Sequence, residues 1–307
     1  FSPFLSFFLV LLLLSIFGLS AQGVWTQKAD YPKANTWYAS GFSIGTKGYI
    51  GAGAATDFWE WDQLTNVWTQ KANFASAYDG SVGFSIGNKG YFGTGTETKD
   101  LWEWDQLSNI WTKKADLGGI GRYRAVGFSI GNFGYIGTGQ MNTSPFVLGD
   151  FWEWNQAADV WTQKADFGGT ARNMAAGFSI GTKGYIGTGM DNSIGNTQDF
   201  WEWDQATNTW TQKANFPGPA RSRATGFSIC ARGYIGTGAT GNTMYQDFWQ
   251  WDQVTNSWSQ IANYGGPAKR AAVGFSIGGL GYVGVGISGS TGFTDFWEYD
   301  TSNTTQV

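Results

Sequence analysis

Three short segments recur six times in register along the 307 residues, and this repetition constrains the fold more than any other feature. Gly-Phe-Ser-Ile begins at Gly41, Gly83, Gly127, Gly177, Gly226 and Gly274. An Asp-Phe-Trp-Glu-Trp-Asp segment, with small variations, begins at Asp57, Asp100, Asp150, Asp199, Asp247 and Asp295. Trp-Thr-Gln-Lys-Ala or a close variant begins at Trp25, Trp68, Trp111, Trp161, Trp210 and Trp258. A unit that recurs every 42 to 50 residues is one supersecondary element that buries its apolar face against its own copies.

Each unit reads as four short strands. In the second copy we expect strands at Val82–Ile86, Tyr91–Thr94, Leu101–Asp105 and Ile110–Lys114. Gly87-Asn88-Lys89-Gly90 between aromatic and β-branched runs is a hairpin signal, and Gln106–Asn109 makes a polar turn. No stretch carries helical periodicity with caps, so no helix is expected. The prediction is an all-β, six-bladed β-propeller with four antiparallel strands per blade. The chain opens on a fourth-strand segment (Val24–Ala29) and ends on a third-strand segment (Asp295–Asp300), so the N-terminal strand should complete the last blade and close the ring. Of 18 Trp, all but Trp37 fall at three repeat positions, typified by Trp59, Trp61 and Trp68, and Tyr299 fills the one remaining slot. Each such ring can bury roughly 150–250 Å² between blades, which makes this lattice structural. Gly in the first strand would let six inner strands crowd the axis.

The ends read differently. Phe4 to Leu19 is almost wholly apolar and runs into Gly18-Leu19-Ser20-Ala21, the pattern of a secretory signal peptide and its cleavage site. At about 16 residues it is short of the roughly 20 that span a bilayer. We therefore expect residues 1–21 to be removed, 22–300 to form the propeller, and 301–307 to be a tail. No Met or basic residue precedes the apolar stretch, so the natural chain should begin earlier, and further sequence could follow Val307. The product would be secreted, periplasmic or displayed at the cell surface.

Composition narrows the chemistry. With no His there is no Ser-His-Asp or Cys-His relay and no imidazole metal ligand. The single Cys, Cys230, sits where the other repeats carry a turn Gly and forms no internal disulfide. A net charge of −4 offers no basic field for nucleic acid. The repeated Glu60, Glu103, Glu153, Glu202 and Glu298 recur in nearly every blade, which assigns them to turns and blade contacts rather than to an asymmetric catalytic pair. Met190-Asp191-Asn192-Ser193 with Asn196 and Asp199 carries oxygen donors, but the spacing matches no EF-hand loop. We assign no catalytic residue, no metal and no cofactor, and expect a monomer.

Gly-Tyr-Ile-Gly-Thr-Gly, then Asp-Phe-Trp-Glu-Trp-Asp, a Thr-Asn turn and a Trp resembles the kelch motif, with its Gly pair, Tyr-Asp step and later Trp. Tyr299-Asp300 matches the Tyr-Asp step; elsewhere Trp replaces Tyr, as in Trp61-Asp62, and the Gly pair is spaced as Gly93-Thr94-Gly95. The resemblance covers residues 24–300 and implies a propeller like the central domain of galactose oxidase. It does not carry that enzyme's copper chemistry, which needs His. Sialic-acid mutarotase-like kelch proteins supply a second precedent, and kelch domains that bind proteins at one mouth supply a third.

Positions that refuse to repeat are the informative ones. Strand direction puts the loop before the first strand and the loop between the second and third strands on one face. Five residues before each Gly-Phe-Ser-Ile lie Thr36, Tyr78, Arg122, Arg172, Arg221 and Lys269; four before lie Trp37, Asp79, Tyr123, Asn173, Ser222 and Arg270; three before lie Tyr38, Gly80, Arg124, Met174, Arg223 and Ala271. They should ring the mouth of the central channel. Arg122, Arg124, Arg172, Arg221, Arg223, Lys269 and Arg270 would make one side basic, and Trp37, Tyr38 and Tyr78 the other side aromatic. Arg forks grip carboxylates and aromatic faces stack on sugar rings. These ten residues are the candidate ligand site. The leading expectation is an exported, non-enzymatic scaffold binding protein or glycan, with an acidic ligand favoured. A carbohydrate-active enzyme of the sialic-acid mutarotase type, and a structural or adhesive module of a longer surface protein, stay open as alternatives.

Overall fold

The period-2 alternation of Gly-Phe-Ser-Ile becomes the innermost strand of every blade, with its Phe and Ile buried and its Ser half-buried. The computed structural model describes residues 22–305, except Asn35, Ala54 and Ala75. The predicted signal peptide, 1–21, lies outside the described residues. Six four-stranded antiparallel sheets surround one axis, and among the described residues there is no helix. Blade 1 consists of Ser40–Ile44, Lys47–Gly51, Phe58–Asp62 and Val67–Gln70. Blade 2 consists of Val82–Ile86, Lys89–Gly93, Leu101–Asp105 and Ile110–Lys113, close to the strands read from sequence. Blade 6 joins Val273–Ile277, Leu280–Gly284 and Phe296–Thr305 to the N-terminal strand Gln22–Gln27, which closes the ring as expected. The Phe296–Thr305 strand extends past Asp300, and Gln22 pairs with Thr305, so residues 301–305 lengthen this strand.

The core lies between blades rather than within them. One cluster joins Val82, Phe84, Tyr91 and Leu101 of blade 2 to Ile136 and Trp154 of blade 3, and five others repeat the scheme. The inner Trp of each third strand (Trp61, Trp104, Trp154, Trp203, Trp251) is fully buried, as is Tyr299. The fourth-strand Trp donates its indole N–H to an Ala carbonyl of the preceding blade, from Trp68 to Ala29 at 2.9 Å round to Trp25 to Ala262 at 3.0 Å. The repeated acids do serve blade contacts: Tyr135 Oη donates to Glu153 at 2.6 Å and accepts from Gln205 of the next blade at 2.8 Å. Blades approach so closely that a Cβ on Gly184 would sit 2.3 Å from the Phe128 ring of its neighbour.

Cys230 is exposed, at φ +52°, in the turn where Gly45, Gly87, Gly131, Gly181 and Gly278 adopt the same left-handed conformation. Just beyond each second strand stands another left-handed residue: Ala52, Thr94, Thr138, Thr188, Thr237 or Val285. The four Thr hydroxyls are buried without a hydrogen-bond partner. Val285 shows that a β-branched hydrocarbon fits this site. Thr188→Val should therefore stabilise the protein by about 1 kcal/mol, by removing an unsatisfied buried hydroxyl. Thermal unfolding checks this, and a lowered midpoint would show that the hydroxyl has a partner in solution.

Candidate functional site

The loop before each inner strand pairs with the loop between the second and third strands, which places both on one face. Tyr123 bridges to Gln140, Asn173 to Met190, Ser222 to Ala239 and Arg270 to Ile287. In blades 4 to 6 the second of these loops folds into a small two-stranded hairpin, as at Met190–Asp191 with Gly195–Asn196.

On this face the candidate residues separate into two sets. Arg122, Arg172, Arg221 and Lys269 are wholly buried, and Tyr78 nearly so. Each turns away from the axis toward the Asp that opens its blade's third strand. Arg172 is the fullest case: Nη1 and Nη2 grip Asp199 at 2.6 and 2.7 Å, Nη1 also donates to the Thr188 carbonyl at 3.0 Å, and Nε to the Thr170 carbonyl at 3.0 Å. Arg122 repeats this on Asp150 at 2.6 Å from both nitrogens, and Arg221 on Asp247 at 2.7 Å. Lys269 pairs with Asp295, and Tyr78 Oη donates to Asp100. Burial pushes Asp150 and Asp199 up, but their Arg partners outweigh it and hold both below the usual carboxylate range. For Lys269, burial prevails over Asp295 and lowers its pKa. These five residues are held within their blades and turned from the mouth that they were expected to ring. The reason is reach: a long side chain at this position spans the loop above it and meets a fixed carboxylate.

Of the other five, Tyr38, Arg124 and Arg223 line the mouth, and Trp37 and Arg270 stand outside its lining. Tyr38, Gly80, Arg124, Met174, Arg223 and Ala271 all adopt left-handed backbone, with φ from +52° to +68°. From Gly80 round to Ala271 their peptides form a belt around the axis, with each N–H donating to the carbonyl one blade back. Arg124 donates to Gly80 at 2.6 Å, Met174 to Arg124 at 2.9 Å, Arg223 to Met174 at 2.9 Å and Ala271 to Arg223 at 3.0 Å. Their side chains line a mouth cavity of about 100 Å³. The cationic and aromatic groups meet there rather than occupying opposite sides. Arg223 Nε donates to Tyr38 Oη at 2.9 Å, and the Arg124 guanidinium lies 4.5 Å from the Tyr38 ring and 5.0 Å from Tyr123. Among the described residues, Arg124, Arg223 and Arg270 form no salt bridge, and Nε of Arg124 and of Arg270 is buried without a hydrogen-bond acceptor. Trp37 is half-buried beside Tyr38.

Asp79 is the group that sequence reasoning missed. It appears among the variable residues, but only the fold shows its surroundings. Its Oδ1 is buried without a hydrogen bond, and burial raises its pKa against the opposing pull of Arg124. It is a carboxyl of the mouth set apart from the repeated acids. The loop acids considered for a cation are otherwise engaged: Asp191 Oδ1 accepts the Ser193 amide at 2.6 Å and hydroxyl at 2.7 Å, while Asp199 is held by Arg172.

Fold and site together define a six-bladed β-propeller with a cationic and aromatic mouth. No protein-family model matches the chain, and no curated protein matches it either. Among solved structures, that of YjhT is similar over 88% of this chain and 95% of its own, with 16% identity and a TM-score of 0.76. At that identity the likeness carries the fold alone. With 1182 solved chains matching, the fold by itself selects no function.

Proposed function

We propose that this chain is an exported, kelch-type recognition propeller that captures a carboxylate-bearing ligand, from protein or glycan, at its loop-rich mouth. The observation that carries this reading is the division among its cations. Four are buried and committed to carboxylates within their blades, whereas Arg124 and Arg223 line the mouth cavity and form no salt bridge among the described residues. A carboxylate bridging Arg124 and Arg223 would gain charge-assisted hydrogen bonds worth about 1.5–3 kcal/mol each, with Tyr38 and Trp37 offering faces for an adjoining ring. Arrays of acidic glycans and glutamate-rich peptides test the reading. Acidic ligands should bind, and Arg223→Ala should weaken them roughly tenfold or more. If the variant binds as the wild type does, or if neutral ligands bind best, the mouth is not a carboxylate site.

Asp79 favours a second reading, a carbohydrate-active enzyme of the sialic-acid mutarotase type. A carboxyl whose pKa is raised by burial, beside Arg124, is suited to passing a proton at an anomeric centre. Exchange between the anomers of N-acetylneuraminate, followed by NMR with wild type and Asp79→Asn, separates the two. Acceleration by wild type that the variant loses would make the protein an enzyme.

A further inference from the structure

Blade 1 departs from the lock that blades 3, 4 and 5 share. Where they carry Arg122, Arg172 and Arg221, it carries Thr36, too short to reach Asp57 at the head of its third strand. Blade 2 fills this place with Tyr78 and blade 6 with Lys269. In blade 1 a cavity of about 30 Å³ occupies it, lined by Tyr31, Lys33, Thr36, Gly53 and Asp57 among others.

Blade 4 shows what these groups do around a guanidinium. The counterpart of Asp57 is Asp199, which takes both Nη atoms of Arg172. The counterparts of Ala34 and Ala52 are Thr170 and Thr188, whose carbonyls take Nε and Nη1. Tyr31 stands where Phe167 lies 4.9 Å from the Arg172 guanidinium carbon. One blade 1 group is left unsatisfied by the change, since Trp59 Nε1 is buried without a hydrogen bond, and Asp57 Oδ2 meets only the Lys33 ammonium. In blade 4, Trp201 Nε1 donates to Asp199 at 2.7 Å.

Lys33 supplies a counter-charge by an ion pair with Asp57, but from outside. Its side chain is 45% exposed, against 1% for Arg172. It replaces Gly169, on which a Cβ would lie 2.9 Å from Arg172 Nη2. The route its ammonium takes to Asp57 is therefore open to solvent, next to Trp37 and Tyr38 in sequence.

We propose that this pocket receives the guanidinium of an arginine side chain from a bound polypeptide, which displaces Lys33 from Asp57. The pocket then holds the incoming group as blade 4 holds its own Arg172. An arginine stem is what the internal copies use to reach this carboxylate from the loop above it, which favours a polypeptide over a free guanidine. The site does not depend on the ligand at the mouth.

The test uses a capped Gly-Gly-Arg-Gly-Gly peptide, the same peptide with citrulline, and agmatine, followed through the Trp59 indole N–H resonance. The arginine peptide should shift that resonance and bind at least tenfold more tightly than either comparison. Lys33→Ala should tighten binding severalfold by removing the competitor. Thr36→Arg should fill the pocket from within, abolish binding and raise the thermal midpoint. Equal binding of the citrulline peptide would overturn the guanidinium assignment, and equal binding of agmatine the polypeptide one. Retention of binding by a folded Thr36→Arg protein would place the peptide elsewhere.

Discussion

Arg172→Ala should be among the most damaging single substitutions in this protein, although it removes a residue from the loop-rich face. It would leave Asp199 half-buried without its bidentate partner, and the Thr188 and Thr170 carbonyls without donors. Removing one member of a buried ion pair typically costs about 3–5 kcal/mol, because the remaining charge keeps its desolvation penalty. For a chain of this size that corresponds to a fall of roughly 10 °C in the unfolding midpoint. The effect should depend on pH with a definite sign. The folded-state pKa of Asp199 lies below its unfolded value, so the stability it contributes is present above the usual carboxylate range and is lost as pH falls through the folded value. The gap between wild type and Arg172→Ala should therefore narrow at pH 3 relative to pH 7. A gap that is small at neutral pH would mean that the lock is not holding the blade.

Deleting Gln22–Gln27 should be more severe still. That strand pairs with Phe296–Thr305, and its loss would expose a full strand edge and open the ring. Trp25 would go with it, breaking the hydrogen bond to Ala262 and ring contacts with Tyr299, Phe248 and Tyr264 at 5.0 to 5.3 Å. The loss of one large aromatic from such an interface costs about 3–5 kcal/mol on its own, before the backbone pairing is counted. The truncated chain should unfold at least 10 °C lower or associate through its open edge, and a synthetic peptide of residues 22–31 should restore the monomer. Unchanged stability and a monomeric state without the peptide would show that closure contributes little.

Much of this was legible in the sequence, because the same physics is written six times. The repeat, the four strands and the N-terminal closure follow from periodicity and turn chemistry, neither of which depends on distant contacts. The site was only half legible. Arg172 and Arg223 are the same residue type two positions apart in successive copies, and nothing local says that one runs outward under a loop while the other points to the axis. A signal was present nonetheless. Arg recurs at the first position in blades 3, 4 and 5 opposite an invariant Asp, whereas Arg124 and Arg223 occupy theirs in blades 3 and 5. The reasoning that made the repeated Glu residues structural applies equally to the repeated Arg. Asp79 could not be read in advance, since its perturbation comes from burial that exists only in the folded chain.

The proposed division of the cations on this face is into locks and ligand contacts. One paired measurement tests it: thermal midpoint and affinity for an acidic ligand, N-acetylneuraminate or a glutamate-rich peptide, for Arg172→Ala and Arg223→Ala side by side. A double dissociation is expected. Arg172→Ala should lose roughly 10 °C while binding normally below its transition. Arg223→Ala should keep its midpoint within a few degrees and lose roughly tenfold or more in affinity. The reverse pattern, or a loss of affinity and stability together in both variants, would contradict it.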